Sequence, residues 1–141
     1  MIPLIGNDYP TKVIPFIDNA KKNIDIIVYD WRWYPNNPAF NVQQFNASLV
    51  RAVNRGVLVR AVINTPQLLP ILSEAGIKAR CTRNKRTLHA KFLSIDNETI
   101  IIGSHNFTKN AFNFNLEVSI LTEIPQGVTR FAELFENLYT T

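Results

Sequence analysis

Residues 88–106 read Leu88-His89-Ala90-Lys91-Phe92-Leu93-Ser94-Ile95-Asp96-Asn97-Glu98-Thr99-Ile100-Ile101-Ile102-Gly103-Ser104-His105-Asn106, and the fold follows from how this stretch is read. His89 and Lys91 stand two apart in an apolar run, so in an extended strand imidazole and ammonium project from one face. Asp96-Asn97 breaks the run as a tight turn, and residues 99–102 form a second strand buried on both faces, which Gly103 ends. Ser104 and Asn106 follow, again two apart. If the backbone stays extended past Gly103, a hydroxyl and an amide point the same way beside the His/Lys pair of the neighbouring strand. Such a cluster suits phosphate.

A histidine alone in an apolar strand is commonly a satisfied core residue. Lys91 on the same face changes that reading, because a lysine is almost never buried without a partner and the two together expect an anion. Ser104 and Asn106, taken without the rest, could equally cap a turn before Thr108. Asp96 sits where a hairpin turns, so it is read as fixing that turn, with Gly103 as its structural companion.

The spacing H-x-K-x4-D-x6-G-S-x-N, carried by His89, Lys91, Asp96, Gly103, Ser104 and Asn106, resembles the signature of the phospholipase D superfamily without a departure. A chance match at one position has odds of roughly one in 10^8. Phe107-Thr108, the pair Asn115-x-Glu117, and residues 24–29 followed by Asp30 extend the resemblance from about residue 11 to the C-terminus. A single motif in 141 residues resembles the small single-motif bacterial endonucleases of that superfamily.

The resemblance implies that His89 is the nucleophile on phosphorus, forming a phosphohistidine. It implies that Lys91 and Asn106 bind the non-bridging oxygens with help from Ser104, and that Glu117 accepts a hydrogen bond from the second His89 nitrogen. No metal and no cofactor is expected, because Lys91 supplies the positive charge. The departing alkoxide still needs an acid. His105 alternates away from Ser104 and Asn106, so the acid is expected from His89 of a second copy, which predicts a homodimer with one site at its interface.

Length and composition are compatible with this. At 141 residues and 46% hydrophobic content, one catalytic domain spanning 1–141 with an ample core is expected. A net charge of +4 favours an anionic partner, nucleic acid or lipid headgroup. The single cysteine, Cys81, excludes an internal disulfide framework, and with two histidines it argues against structural zinc. The N-terminus lacks a basic segment followed by a long apolar one, and no apolar run approaches the roughly 18 residues a membrane span requires. The expectation is a cytoplasmic protein without stable membrane insertion.

Helices are expected over residues 11–22, despite Pro15, over 41–55 with Asn41 and Gln44 as a capping pair, over 65–75, near 108–112, and over 128–139 with Val128, Phe131, Ala132, Phe135 and Leu138 on one face. Strands are expected over 24–29, 57–63, 77–81 and 116–121 besides the motif pair. The fold class is therefore α/β, a layered sandwich with a central mixed, largely parallel sheet flanked by helices.

Lys78, Arg80, Arg83, Lys85 and Arg86 precede the motif closely enough to track a phosphodiester backbone, or they form an ordinary solvated loop. Trp31-Arg32-Trp33-Tyr34 is read first as core or interface, with Trp33 as a candidate for base stacking. The leading function is an endonuclease-like phosphodiesterase acting on nucleic acid, DNA in preference to RNA. The alternatives are a phospholipase D-type hydrolase or transferase on phospholipid headgroups, and a non-catalytic nucleic-acid-binding module.

Overall fold

The structure, a computed structural model, describes residues 1–123 and 129–141. Seven strands form one sheet in the order β1-β7-β6-β5-β2-β3-β4. They are β1 (Ile2–Ile5), β2 (Asn23–Ile27), β3 (Leu58–Ile63), β4 (Lys78–Cys81), β5 (Phe92–Ile95), β6 (Thr99–Gly103) and β7 (Val118–Glu123). Helices α1 (Asp8–Asp18), α2 (Asn41–Asn54) and α3 (Leu69–Glu74), the last preceded by a 3-10 turn at Pro66–Leu68, connect them, and α4 (Thr129–Thr140) closes the chain.

The sheet is mixed, but its parallel part is smaller than expected. Among the described residues only the strand pairs β2-β3 and β3-β4 run in parallel, across the helical crossovers that parallel strands require. The other four pairings are antiparallel. The reason is local: β5 and β6 are joined by the tight turn at Asp96-Asn97, whose φ angles of 55° at both residues are those of a type I′ hairpin. No helix separates β4 from β5, so the chain crosses back to lie antiparallel to β2.

Two apolar layers flank the sheet. On one face Val13 and Ile17 of α1, Phe45 and Leu49 of α2 and Leu72 of α3 pack on Ile24, Ile26, Val59, Ala61, Leu93 and Ile101. On the other, Phe135 of α4 packs on Ile27, Val62, Phe92 and Ile100. Arg60 ties α4 down: it pairs with the buried Asp25 at 3.0 Å and with Glu136 at 2.5 Å, while its guanidinium lies 4.8 Å from the Phe135 ring centroid. Burial raises the Asp25 carboxyl above its ordinary value, and Arg60 pulls it back.

Several expected boundaries move. Helix α1 begins at Asp8 rather than near residue 11 and carries Pro15 inside it. Asn41 is not a cap: Phe40 precedes the helix, and the Asn41 amide exchanges hydrogen bonds with Asn113. The expected helix near 108–112 is a π turn at Asn110–Phe114, closed by the Asn115 N–H on the Asn110 carbonyl. Strand β1, absent from the sequence reading, forms the sheet edge against β7. In the last helix Phe131, Phe135 and Leu138 do pack inward, while Val128 lies outside the described residues.

Candidate active site

His89 and Lys91 lie just before β5, which starts at Phe92, and they stand side by side as their spacing predicts. Lys91 Nζ is 3.1 Å from His89 Nδ1 and 3.3 Å from Nε2. A hydrogen bond there needs the ring nitrogen as acceptor, since the ammonium offers only donors. Tyr29 closes a third side, its ring centroid 4.8 Å from the imidazole and 5.6 Å from Lys91 Nζ. Sequence reasoning missed Tyr29. Its place follows from the register Ile27↔Phe92, which brings the end of β2 level with the motif segment. Burial lowers the Lys91 ammonium below its ordinary value, and the Glu117 carboxylate pulls it back up.

Asn106 enters through the next residue along β2's exit. Its Oδ1 accepts the Asp30 backbone N–H at 3.0 Å, which fixes the amide and leaves Nδ2 as its donor. Gly103 has no room for a side chain, because a Cβ there would collide with the Ser119 backbone and the Val118 carbonyl. That close approach carries the chain tightly from β6 to Ser104.

Ser104 and Glu117 differ from expectation. The Ser104 hydroxyl donates to Glu117 Oε1 at 2.7 Å and accepts the Val118 N–H at 3.0 Å. Glu117 Oε2 accepts from Asn115 Nδ2 at 3.1 Å. Both carboxylate oxygens are thus engaged by Ser104 and Asn115, and Glu117 makes no hydrogen bond to His89. The Ser104 hydroxyl thus holds the Glu117 carboxylate. The carboxylate in turn faces Lys91 electrostatically.

Asp96 does not face this cluster. Its carboxylate accepts the backbone N–H groups of Lys21, Lys22 and Asn23 at 3.0, 2.7 and 3.1 Å, latching the α1–β2 connection onto the β5–β6 turn. His105 points the other way, as its alternation predicts. It is fully buried, with Nδ1 2.7 Å from Ser119 Oγ and Nε2 2.8 Å from the Gly6 carbonyl. Burial holds its pKa below the ordinary value.

Two grooves open from the cluster. One, about 250 Å³, is lined by His89, Lys91, Phe92, Ile102 and Leu134 and is largely apolar. The other, about 340 Å³, runs from Asn106 and Glu117 towards Tyr34, Lys109 and Phe114. The expected basic track is only partly alongside. Arg80 and Arg83 line a separate cleft against Tyr139, with the Arg80 guanidinium 4.7 Å from that ring's centroid. Lys85 and Arg86 are exposed in the loop before Leu88. Trp33 is half-buried and packs against the core, its centroid 6.0 Å from that of Trp31, and it lines a groove with Thr65 and Gln67. Among the described residues no group of three or more His, Cys, Asp or Glu could hold a metal ion, and no helix is long and apolar enough to cross a membrane.

Comparisons with known proteins bear on family and fold. Residues 13–139 match the family described as cardiolipin synthase, PLD-like domain. The chain is 31% identical over 107 residues to the mitochondrial cardiolipin hydrolase of Homo sapiens, covering 72% of this chain and 42% of that protein. With the protein of the same name from Chlamydomonas reinhardtii it shares 27% over 140 residues, covering 92% of this chain and 58% of the other. It thus spans about half the length of these relatives. Among solved structures it superposes on Nuc, a phospholipase D family member from Salmonella typhimurium, with TM-score 0.79 and 26% identity, covering 99% of this chain and 94% of that one. NucT from Helicobacter pylori shares the fold, with TM-score 0.80 and 17% identity over 99% of this chain and 94% of that one. With its motif residues intact from His89 to Asn106 and the match running from residue 13 to 139, the chain belongs to the PLD-like domain family of the phospholipase D superfamily.

Proposed function

We propose that the protein is a metal-independent phosphodiesterase that cleaves nucleic acid through a phosphohistidine on His89, in a site completed by a second copy of the chain. The observation that carries this is the 3.1 Å pairing of His89 with Lys91, in a motif whose Asn106 amide is fixed by the Asp30 N–H. A neutral imidazole nitrogen attacks phosphorus, the bond to the leaving oxygen breaks, and Lys91 with Asn106 Nδ2 stabilises charge on the non-bridging oxygens. Water then attacks the phosphorus and releases the histidine. Lys91 supplies the charge that a metal ion supplies elsewhere.

The leaving oxygen must take a proton as it departs. His105 is unsuited, being buried and bonded to Ser119 and Gly6, which leaves His89 of a second copy. The uncovered half of the α4 face supports that arrangement. Ile102, Val118 and Ile5 are 37, 58 and 54% exposed, and the registers Ile5↔Val118 and Ile102↔Ile120 put them on one face. This apolar surface is continuous with the groove holding His89 and Lys91, and a patch of that kind is what a subunit contact covers.

Nucleic acid is the substrate this reading favours, on the charge of +4, the exposed Lys85 and Arg86 beside the motif, and the near full-length correspondence with Nuc. The test is cleavage of labelled DNA in excess EDTA by wild type and His89→Ala. A second reading, hydrolysis at a phospholipid headgroup, is favoured by the cardiolipin hydrolase relatives and by the apolar groove at His89. Release of phosphatidic acid from cardiolipin vesicles without DNA cleavage would select it.

A further inference from the structure

We infer that the groove beside Asn106 is the subsite for the nucleoside flanking the scissile phosphate, with Phe114 as the surface on which its base stacks, so that the site takes unpaired strand. This rests on the nuclease reading above and names the substrate class of that same site.

The groove shares Asn106 and Glu117 with the catalytic cluster and leads away to Tyr34, Lys109 and Phe114. At about 340 Å³ it falls within the range of about 300–1,000 Å³ that holds a small organic group. Its lining carries two cations, Arg32 and Lys109, against two carboxylates, Asp30 and Glu117, and Arg32 is already paired with Asp30 at 2.8 Å. A track for several phosphates needs surplus cations, and this groove lacks them. It offers amides, carboxylates and an aromatic ring, which are the partners of a base edge and a base face.

Phe114 is the aromatic ring that the π turn leaves in the open: it is 74% exposed, while Ala111 and Phe112 of the same turn are buried and anchor it. The 2.7 Å bond from the Asn115 N–H to the Asn110 carbonyl closes the wide turn that sets Phe114 at the groove, and such turns recur at functional sites. A paired base is stacked within its duplex and cannot reach the ring, so single strand is preferred.

The experiment measures steady-state cleavage of a labelled single-stranded oligonucleotide and its duplex by wild type, Phe114→Ala and Phe114→Trp, with wild-type hydrolysis of methyl p-nitrophenyl phosphate as a check on the chemistry. Wild type is expected to prefer the single strand. Phe114→Ala raises its KM about 10-fold with kcat little changed, and Phe114→Trp restores KM. An unchanged KM in Phe114→Ala, a wild-type preference for duplex, or a changed oligomeric state in Phe114→Ala would each overturn the assignment while leaving the nuclease reading intact. Hydrolysis of the small ester with no cleavage of either oligonucleotide would instead remove the nuclease reading, and this inference with it.

Discussion

Asp96 Oδ1 accepts the Lys22 backbone N–H at 2.7 Å, joining two connections 74 residues apart in sequence. The aspartate of the motif therefore holds the chain path. Removing it leaves three backbone donors without their acceptor, each of which water satisfies only in part. Asp96→Ala is expected to lower unfolding stability by about 2 kcal/mol, measured by urea denaturation, while the folded fraction keeps its turnover rate. Lost turnover at unchanged stability would give Asp96 a part in the chemistry.

His105 makes stability depend on pH. Its pKa in the folded chain lies below the ordinary 6.5, so as pH falls through about 6.5 the unfolded chain takes up a proton that the folded chain refuses. Stability is thus present above that pH and lost on acidification. In His105→Asn the loss of stability between pH 7 and 5.5 becomes shallower than in wild type, and cleavage activity persists. A variant with the wild-type slope would show that His105 is not the group responsible, and an inactive but folded variant would restore His105 as a candidate acid.

Val118 tests the second copy. It is 58% exposed and directly opposite Ile5, so a charge there costs the monomer little. Val118→Asp is expected to fold normally, to sediment as a monomer where wild type sediments as a dimer, and to lose cleavage by about 100-fold or more, the scale of a missing general acid. A monomeric variant of full activity would remove the need for a shared site.

The reach of the sequence is visible residue by residue. His89 with Lys91 and the turn at Asp96-Asn97 were legible because their geometry is set within a few residues, by strand alternation and by turn chemistry. The partners of Glu117 were not: they are Ser104, 13 residues away, and Asn115, and which side chain a carboxylate faces depends on how β6 and β7 come together. Asn41 failed as a cap for the same reason, its amide being taken by Asn113 across the fold. The direction of β5 beside β2, which made the sheet less parallel than expected, is set by a long-range pairing. Strand β1 is four residues with a proline among them, too short for any periodicity to show, and it exists because β7 offers an edge.

The pairing of His89 with Lys91 is tested most directly by cleavage of labelled single- and double-stranded DNA in excess EDTA, comparing wild type with His89→Ala. Cleavage by wild type is expected to be undiminished by EDTA, and the rate of the variant to be lower by roughly 10^4-fold or more. Cleavage by His89→Ala at the wild-type rate, or loss of wild-type activity on adding EDTA, would contradict this.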